Sequence, residues 1–177
     1  PGMFDAHLNL GNVCLQTQRY PLAVDAFQRA LTLNPDSDLA YAHQAEAYKQ
    51  LHESDKALAG YGHALQLAPH KHGYLIKAGN LFRELNRHAD AVACYEQAIE
   101  MEPDHAEAYA QMAIAMAGLD HLDAALGCCR IALEIDPQLT LAHYHQALIE
   151  LQQDNLPAAL NSLTRALEQQ PESAPMW

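Results

Sequence analysis

The stretch LGNVCLQTQRYPLAVDAFQRALTLNP, residues 10–35, decides the fold by its internal spacing. Leu10, Val13 and Cys14 stand three and four residues apart, and so do Ala23, Phe27, Ala30 and Leu31. Each set marks one face of an amphipathic helix. Between them, Thr17-Gln18-Arg19-Tyr20 reads as a short polar turn. Pro21 sits where a second helix begins, a position that needs no backbone N–H donor. Pro35 then stops that helix. The stretch therefore predicts two helices folded back on each other.

Outward from Pro35, the same proline recurs at Pro1, Pro69, Pro103, Pro137 and Pro171, always 34 residues apart. A fixed period of this length is the mark of a stacked repeat. We number each repeat so that this proline is position 32. Position 20 is then Ala23, Ala57, Ala91, Ala125 and Ala159, and position 27 is Ala30, Ala64, Ala98, Ala132 and Ala166. Position 8 is always Gly or Ala: Gly11, Ala45, Gly79, Ala113 and Ala147. Small side chains at these columns let helices approach closely, while larger residues at positions 4, 11 and 24 fill the space between. Position 24 holds Phe27, Tyr61, Tyr95, Cys129 and Leu163. In the fifth copy Glu150 occupies core position 11, so it must be paired or partly exposed.

The pattern resembles the tetratricopeptide (TPR) repeat, W-x2-L-G-x2-Y, then A-x3-F-x2-A, then P. The first copy carries it most fully, in Leu10-Gly11, Ala23, Phe27, Ala30 and Pro35. The resemblance implies an all-α, right-handed superhelical solenoid of antiparallel helix pairs. The expected organisation is a single array with repeats at about 4–37, 38–71, 72–105, 106–139 and 140–173. Residues 174–177 would start a further repeat, with Trp177 at its position 4, so the chain reads as a segment of a longer array.

The resemblance also implies that the first helix of each repeat lines a concave groove, through positions 2, 5, 6, 9, 12 and 13. These positions fall on one helical stripe. Asn12, Lys49, Lys77, Asn80 and Arg83 give the stripe a polar, locally basic part. Asn can bond a peptide backbone, and Lys or Arg can hold a carboxylate or phosphate. Gln111, Ile114, Tyr144 and Leu148 make the remainder more apolar. His43, Glu46 and His145 lie on the same stripe. TPR domains that grip chaperone C-terminal tails place a lysine at position 5, where this chain has Leu8 and Ile76.

Composition narrows the function further. Net charge is −12, whereas nucleic-acid binders carry a basic excess, so no nucleic-acid partner is expected. Residues 96–154 hold eleven acidic residues against Arg130 alone. No apolar run reaches the roughly 20 residues that span a bilayer. The first residues lack a signal-peptide pattern, so no membrane contact is expected and the expected location is cytoplasmic. Cys14, Cys94, Cys128 and Cys129 contain no C-x-x-C pair and read as buried free thiols. Among the histidines, His70 and His72 form only a weak pair, and His7 and His143 take packing position 4, so no metal and no cofactor are expected. No catalytic motif appears. The expected function is a non-enzymatic scaffold that holds a peptide or protein segment. The alternatives are the recruiting arm of a larger enzyme resembling O-GlcNAc transferase, and a module that self-associates through uncapped ends.

Overall fold

The computed structural model describes residues 2–169. Expectations placed on Pro1, Pro171 and residues 174–177 lie outside the described residues. Ten helices follow one another: α1 (Gly2–Gln16), α2 (Tyr20–Leu33), α3 (Asp38–Gln50), α4 (Ser54–Leu67), α5 (His72–Glu84), α6 (His88–Met101), α7 (Ala106–Gly118), α8 (Leu122–Ile135), α9 (Thr140–Gln152) and α10 (Leu156–Gln169). No strand occurs among the described residues. None of these helices is long and apolar enough to cross a membrane.

The chain divides into two compact units, Pro1–Leu81 and Phe82–Trp177, and α5 carries the boundary. In the first unit, α1 packs on α2 and α3 on α4, with α2 also against α3. In the second, α7 packs on α8 and α9 on α10, and α6 and α8 pack on the helices that follow them. Within each unit, then, every hairpin buries a face that it cannot cover alone.

The turns explain why hairpins form. Among the described residues, Gln18, His52, Asn86, Asp120 and Asp154 are the non-glycine residues at positive φ, between 58° and 63°. All five occupy repeat position 15. The amide one residue later bonds back to the carbonyl of position 11: Arg19 to Cys14 at 2.7 Å, Glu53 to Tyr48 at 2.9 Å, Arg87 to Phe82 at 2.8 Å, His121 to Met116 at 3.0 Å, and Asn155 to Glu150 at 2.8 Å. This six-to-one bond around a left-handed residue is a Schellman ending. Four residues further on, the amide of the position-20 alanine bonds the carbonyl of position 16, as from Ala57 to Glu53 at 3.0 Å, so the next helix begins at once.

Between hairpins the chain stops and restarts differently. Pro35, Pro69, Pro103 and Pro137 each stand two residues past the end of a helix. Position 34 then caps the next helix: Ser37 Oγ accepts from the Ala40 amide at 3.2 Å, and His105 Nδ1 accepts from the Ala108 amide at 3.1 Å.

The small columns lie in the core as expected. All five position-20 alanines are fully buried, and the position-27 alanines are too, except for slight exposure at Ala166. Phe27, Tyr61, Tyr95 and Cys129 of position 24 are buried beside them. A Cβ at Gly11 would overlap the Phe27 ring, and one at Gly60 would stand 2.9 Å from the Ala45 Cβ. Cys14, Cys128 and Cys129 are buried free thiols. Cys94 departs from expectation and is only half-buried, although position 23 is buried in the other four repeats.

Candidate functional site

In the first unit the expected stripe runs along α1, α3 and α5. Asn12 and Asn80 are half-buried on it, Lys49 is half-buried, and Lys77 is exposed. The structure gathers four groups around one that sequence reading had placed on the stripe but not in its basic part, the Glu46 carboxylate. Tyr61 Oη donates to Glu46 Oε2 at 2.9 Å, Gln50 Nε2 donates to Oε1 at 3.3 Å, and Lys77 Nζ stands 3.6 Å from Oε2. Lys49 adds its charge nearby. Burial alone would raise the carboxyl pKa. The bond from Tyr61, the Lys77 charge, the bond from Gln50 and the Lys49 charge together hold it below the ordinary carboxylate value. The locally basic patch expected here is therefore corrected. Lys77, on α5, is partly neutralised by Glu46 on α3, and the patch presents a carboxylate as well as two ammonium groups.

His43 lies beside this cluster, its ring 5.7 Å from that of Phe27. Desolvation, then the Lys77 charge, lower its pKa against the pull of Glu46. The ring is neutral at pH 7, and its Nδ1 is buried without a hydrogen-bond partner.

The second unit holds Arg83, Gln111, Ile114, Tyr144 and Leu148. Arg83 is half-buried and hydrogen-bonds the Tyr95 hydroxyl, whose pKa is pushed up to about 12 mainly by burial. Arg83 Nε itself has no partner. Gln111 is half-buried, and its Oε1 is likewise buried and unpartnered. His145 contacts the Ala110 carbonyl through Nδ1 at 2.8 Å. Its pKa is lowered by desolvation; the Ala110 bond opposes this and the Arg83 charge adds to it. Tyr144 lies 6.0 Å from the His145 ring and is exposed, as is Leu148, while Ile114 is half-buried. The polar and apolar halves of the stripe thus meet in this unit, because Arg83 belongs with the apolar set.

Tyr61 and Tyr95 were expected only as core filling. Each ring does fill the core, but each hydroxyl reaches a charged stripe residue. The replacement of Phe27 by tyrosine at the same repeat position was the signal available in the sequence.

Family comparison fits this arrangement. The tetratricopeptide repeat family model matches residues 4–37, and a TPR repeat model matches residues 79–120. The chain is a tetratricopeptide repeat protein. Its all-α helical-repeat solenoid fold recurs in solved TPR structures. MamA 41-end from Desulfovibrio magneticus RS-1 superposes with a TM-score of 0.84 at 17% identity, covering 98% of each chain. The thermophilic TPR protein TTC0263 from Thermus thermophilus gives 0.77 at 23% identity, covering 96% of this chain and 92% of that one. YrrB, described as a TPR protein with an unusual peptide-binding site, gives 0.71 at 22% identity over 94% and 86%. At these identities the likeness establishes the fold. No curated protein matches the chain.

Proposed function

We propose that this TPR scaffold for protein interaction binds extended peptide segments of a protein partner along the stripe of each unit, without catalysis. One observation carries the reading. Five buried side-chain polar atoms lack a hydrogen-bond partner among the described residues, and three of them lie on the stripe: His43 Nδ1, Arg83 Nε and Gln111 Oε1. A buried polar atom without a partner costs about 1–3 kcal/mol. An extended peptide offers an N–H donor and a C=O acceptor at every residue, and so can satisfy His43 in the first unit, or Arg83 and Gln111 in the second. The Glu46 cluster adds charge selection. A basic side chain would bind Glu46, and an acidic one would bind Lys49 or Lys77 and displace Glu46 from Lys77. In the second unit Tyr144, Leu148 and Ile114 would take an apolar side chain of the peptide. The peptide-binding site named for YrrB is consistent with this reading.

The test is a peptide array probed with the chain, followed by titration of the best sequence. His43→Ala, Arg83→Ala and Gln111→Ala should each weaken binding about tenfold, as expected for one lost buried hydrogen bond. Arg29→Ala, on the exposed face of α2, should leave affinity unchanged. Equal affinity in all four variants would move the site off the stripe.

A second reading rests on the apolar face of α1. Met3, Leu10 and Val13 are 68%, 52% and 55% exposed, whereas the α3 counterparts of Leu10 and Val13 at positions 7 and 10, Gln44 and Ala47, are buried. Exposed apolar surface of this kind favours self-association. Light scattering at rising concentration tests it: a constant monomer mass would remove the reading.

A further inference from the structure

Away from the stripe, the second unit contains a cavity of about 530 Å³ between α8, α9 and α10. One of its lining residues departs from the repeat pattern. Position 11 is Cys14, Tyr48, Phe82 and Met116 in the first four repeats and Glu150 in the fifth. Glu150 thus puts a carboxylate on the lining at a position where no other repeat carries a charge. Glu150 is nonetheless buried, with only 7% of its surface exposed.

Its partners are neutral. Gln146 Nε2 donates to Oε1 at 2.8 Å, and Ser162 Oγ donates to Oε2 at 2.8 Å. These bonds satisfy one lone pair on each oxygen, and a carboxylate offers about four acceptor sites. Among the described residues no cation pairs with Glu150, although buried charges are ordinarily paired. Arg130 and Arg165 line the same cavity, and neither forms an ion pair among the described residues. The cavity thus has a buried acid on one wall and two exposed guanidinium groups on others.

We propose that this cavity binds a basic amino-acid residue with a free α-carboxylate. Its cationic side chain enters to pair with Glu150, and its carboxylate meets Arg130 and Arg165. Asp123 and Glu134, also on the lining, bring the acidic groups to three against the two arginines, so the site favours a further cation. Guanidinium–carboxylate pairs are the strong, bidentate kind of contact. The volume falls in the range of ordinary small-ligand pockets, roughly 300–1,000 Å³. This site is independent of peptide binding on the stripe.

Calorimetry and NMR titration of the whole chain test the proposal with four probes: free arginine, citrulline, a short peptide ending in arginine, and the same peptide with a C-terminal amide. Free arginine should bind if the source is a metabolite. If the source is a partner's C-terminus, the acid-ended peptide should bind and free arginine should not. In either case citrulline or the amide should bind at least about tenfold more weakly, as for one lost charged contact. Glu150→Gln should weaken binding by a similar factor, and so should the exposed pair Arg130→Ala/Arg165→Ala, which leaves the core intact. Failure of both acid-ended probes would overturn the proposal, as would citrulline binding equal to arginine or unchanged affinity in the arginine double variant.

Discussion

Asp38 shows how one side chain ties neighbouring hairpins together in the first unit. Lys71 Nζ and Tyr74 Oη each donate to its Oδ2 at 2.6 Å, across more than thirty residues of sequence. Burial would raise its pKa, but the two hydrogen bonds and the Lys71 charge outweigh it and hold the carboxyl below its ordinary value. An acid with a depressed folded pKa stabilises the fold above its unfolded pKa of about 3.9, and that contribution is lost as pH falls through the folded value. Acid titration of stability should therefore fall less steeply below about pH 4 in Asp38→Asn than in the parent. Equal slopes would show that the contact does not couple protonation to folding. Ser162 on α10 makes a link of shorter reach, to Glu150 on the other helix of its own hairpin. Ser162→Ala should cost about 1.5–3 kcal/mol in urea unfolding, the usual loss for a hydrogen bond to a charged group. Sequence reading required Glu150 to be paired or exposed, and it is buried with hydrogen bonds from the neutral Gln146 and Ser162 rather than with an ionic partner. It could not supply the partners, because Gln146 is one helical turn away but Ser162 lies on the next helix.

At the scale of the helix, two devices recur. One is the left-handed residue that ends the first helix of each hairpin. A non-glycine residue in that conformation is strained by about 1–2 kcal/mol, less for Asn and Asp. His52 and Gln18 carry this strain in full, whereas Asn86, Asp120 and Asp154 carry less. His52→Gly should raise stability by up to about 1 kcal/mol, since glycine relieves the strain but frees the unfolded chain. A drop in melting temperature would refute the assignment of strain. The second device is the helix crossing built on alanine. Ala57 is fully buried in α4, so Ala57→Leu should cost roughly 1–3 kcal/mol by overpacking, read from the denaturation midpoint. The alanine columns made these crossings legible in advance. The turns were legible only as polar and short, because four different residue types share one backbone conformation at these five positions. Nothing in Gln18 or His52 advertises a positive φ.

Over the whole molecule the dominant feature is uneven charge. The ion pairs Arg29–Asp25, Lys56–Glu53, Lys71–Asp38, Lys77–Glu46 and Arg87–Asp90 all lie within residues 1–95. Residues 96–154 carry eleven acidic residues and Arg130. Repulsion among like charges is screened by salt, with a Debye length of about 8 Å at 0.15 M. Raising sodium chloride from a few millimolar to that level should increase the melting temperature, by about 2–4 °C if relief is on the order of 1 kcal/mol. A fall would mean that the exposed ion pairs outweigh the repulsion. Sequence alone determined the helical class, the hairpin spacing and the buried alanines, because all of these follow from periodicity along the chain. Only the tertiary structure decided that Glu46 sits among Lys77, Tyr61 and Gln50, that Arg83 belongs with His145 and Tyr95, and that Glu150 faces a cavity. Those facts depend on which side chains from separate helices meet and what solvent they exclude, and a periodic pattern carries no information about either.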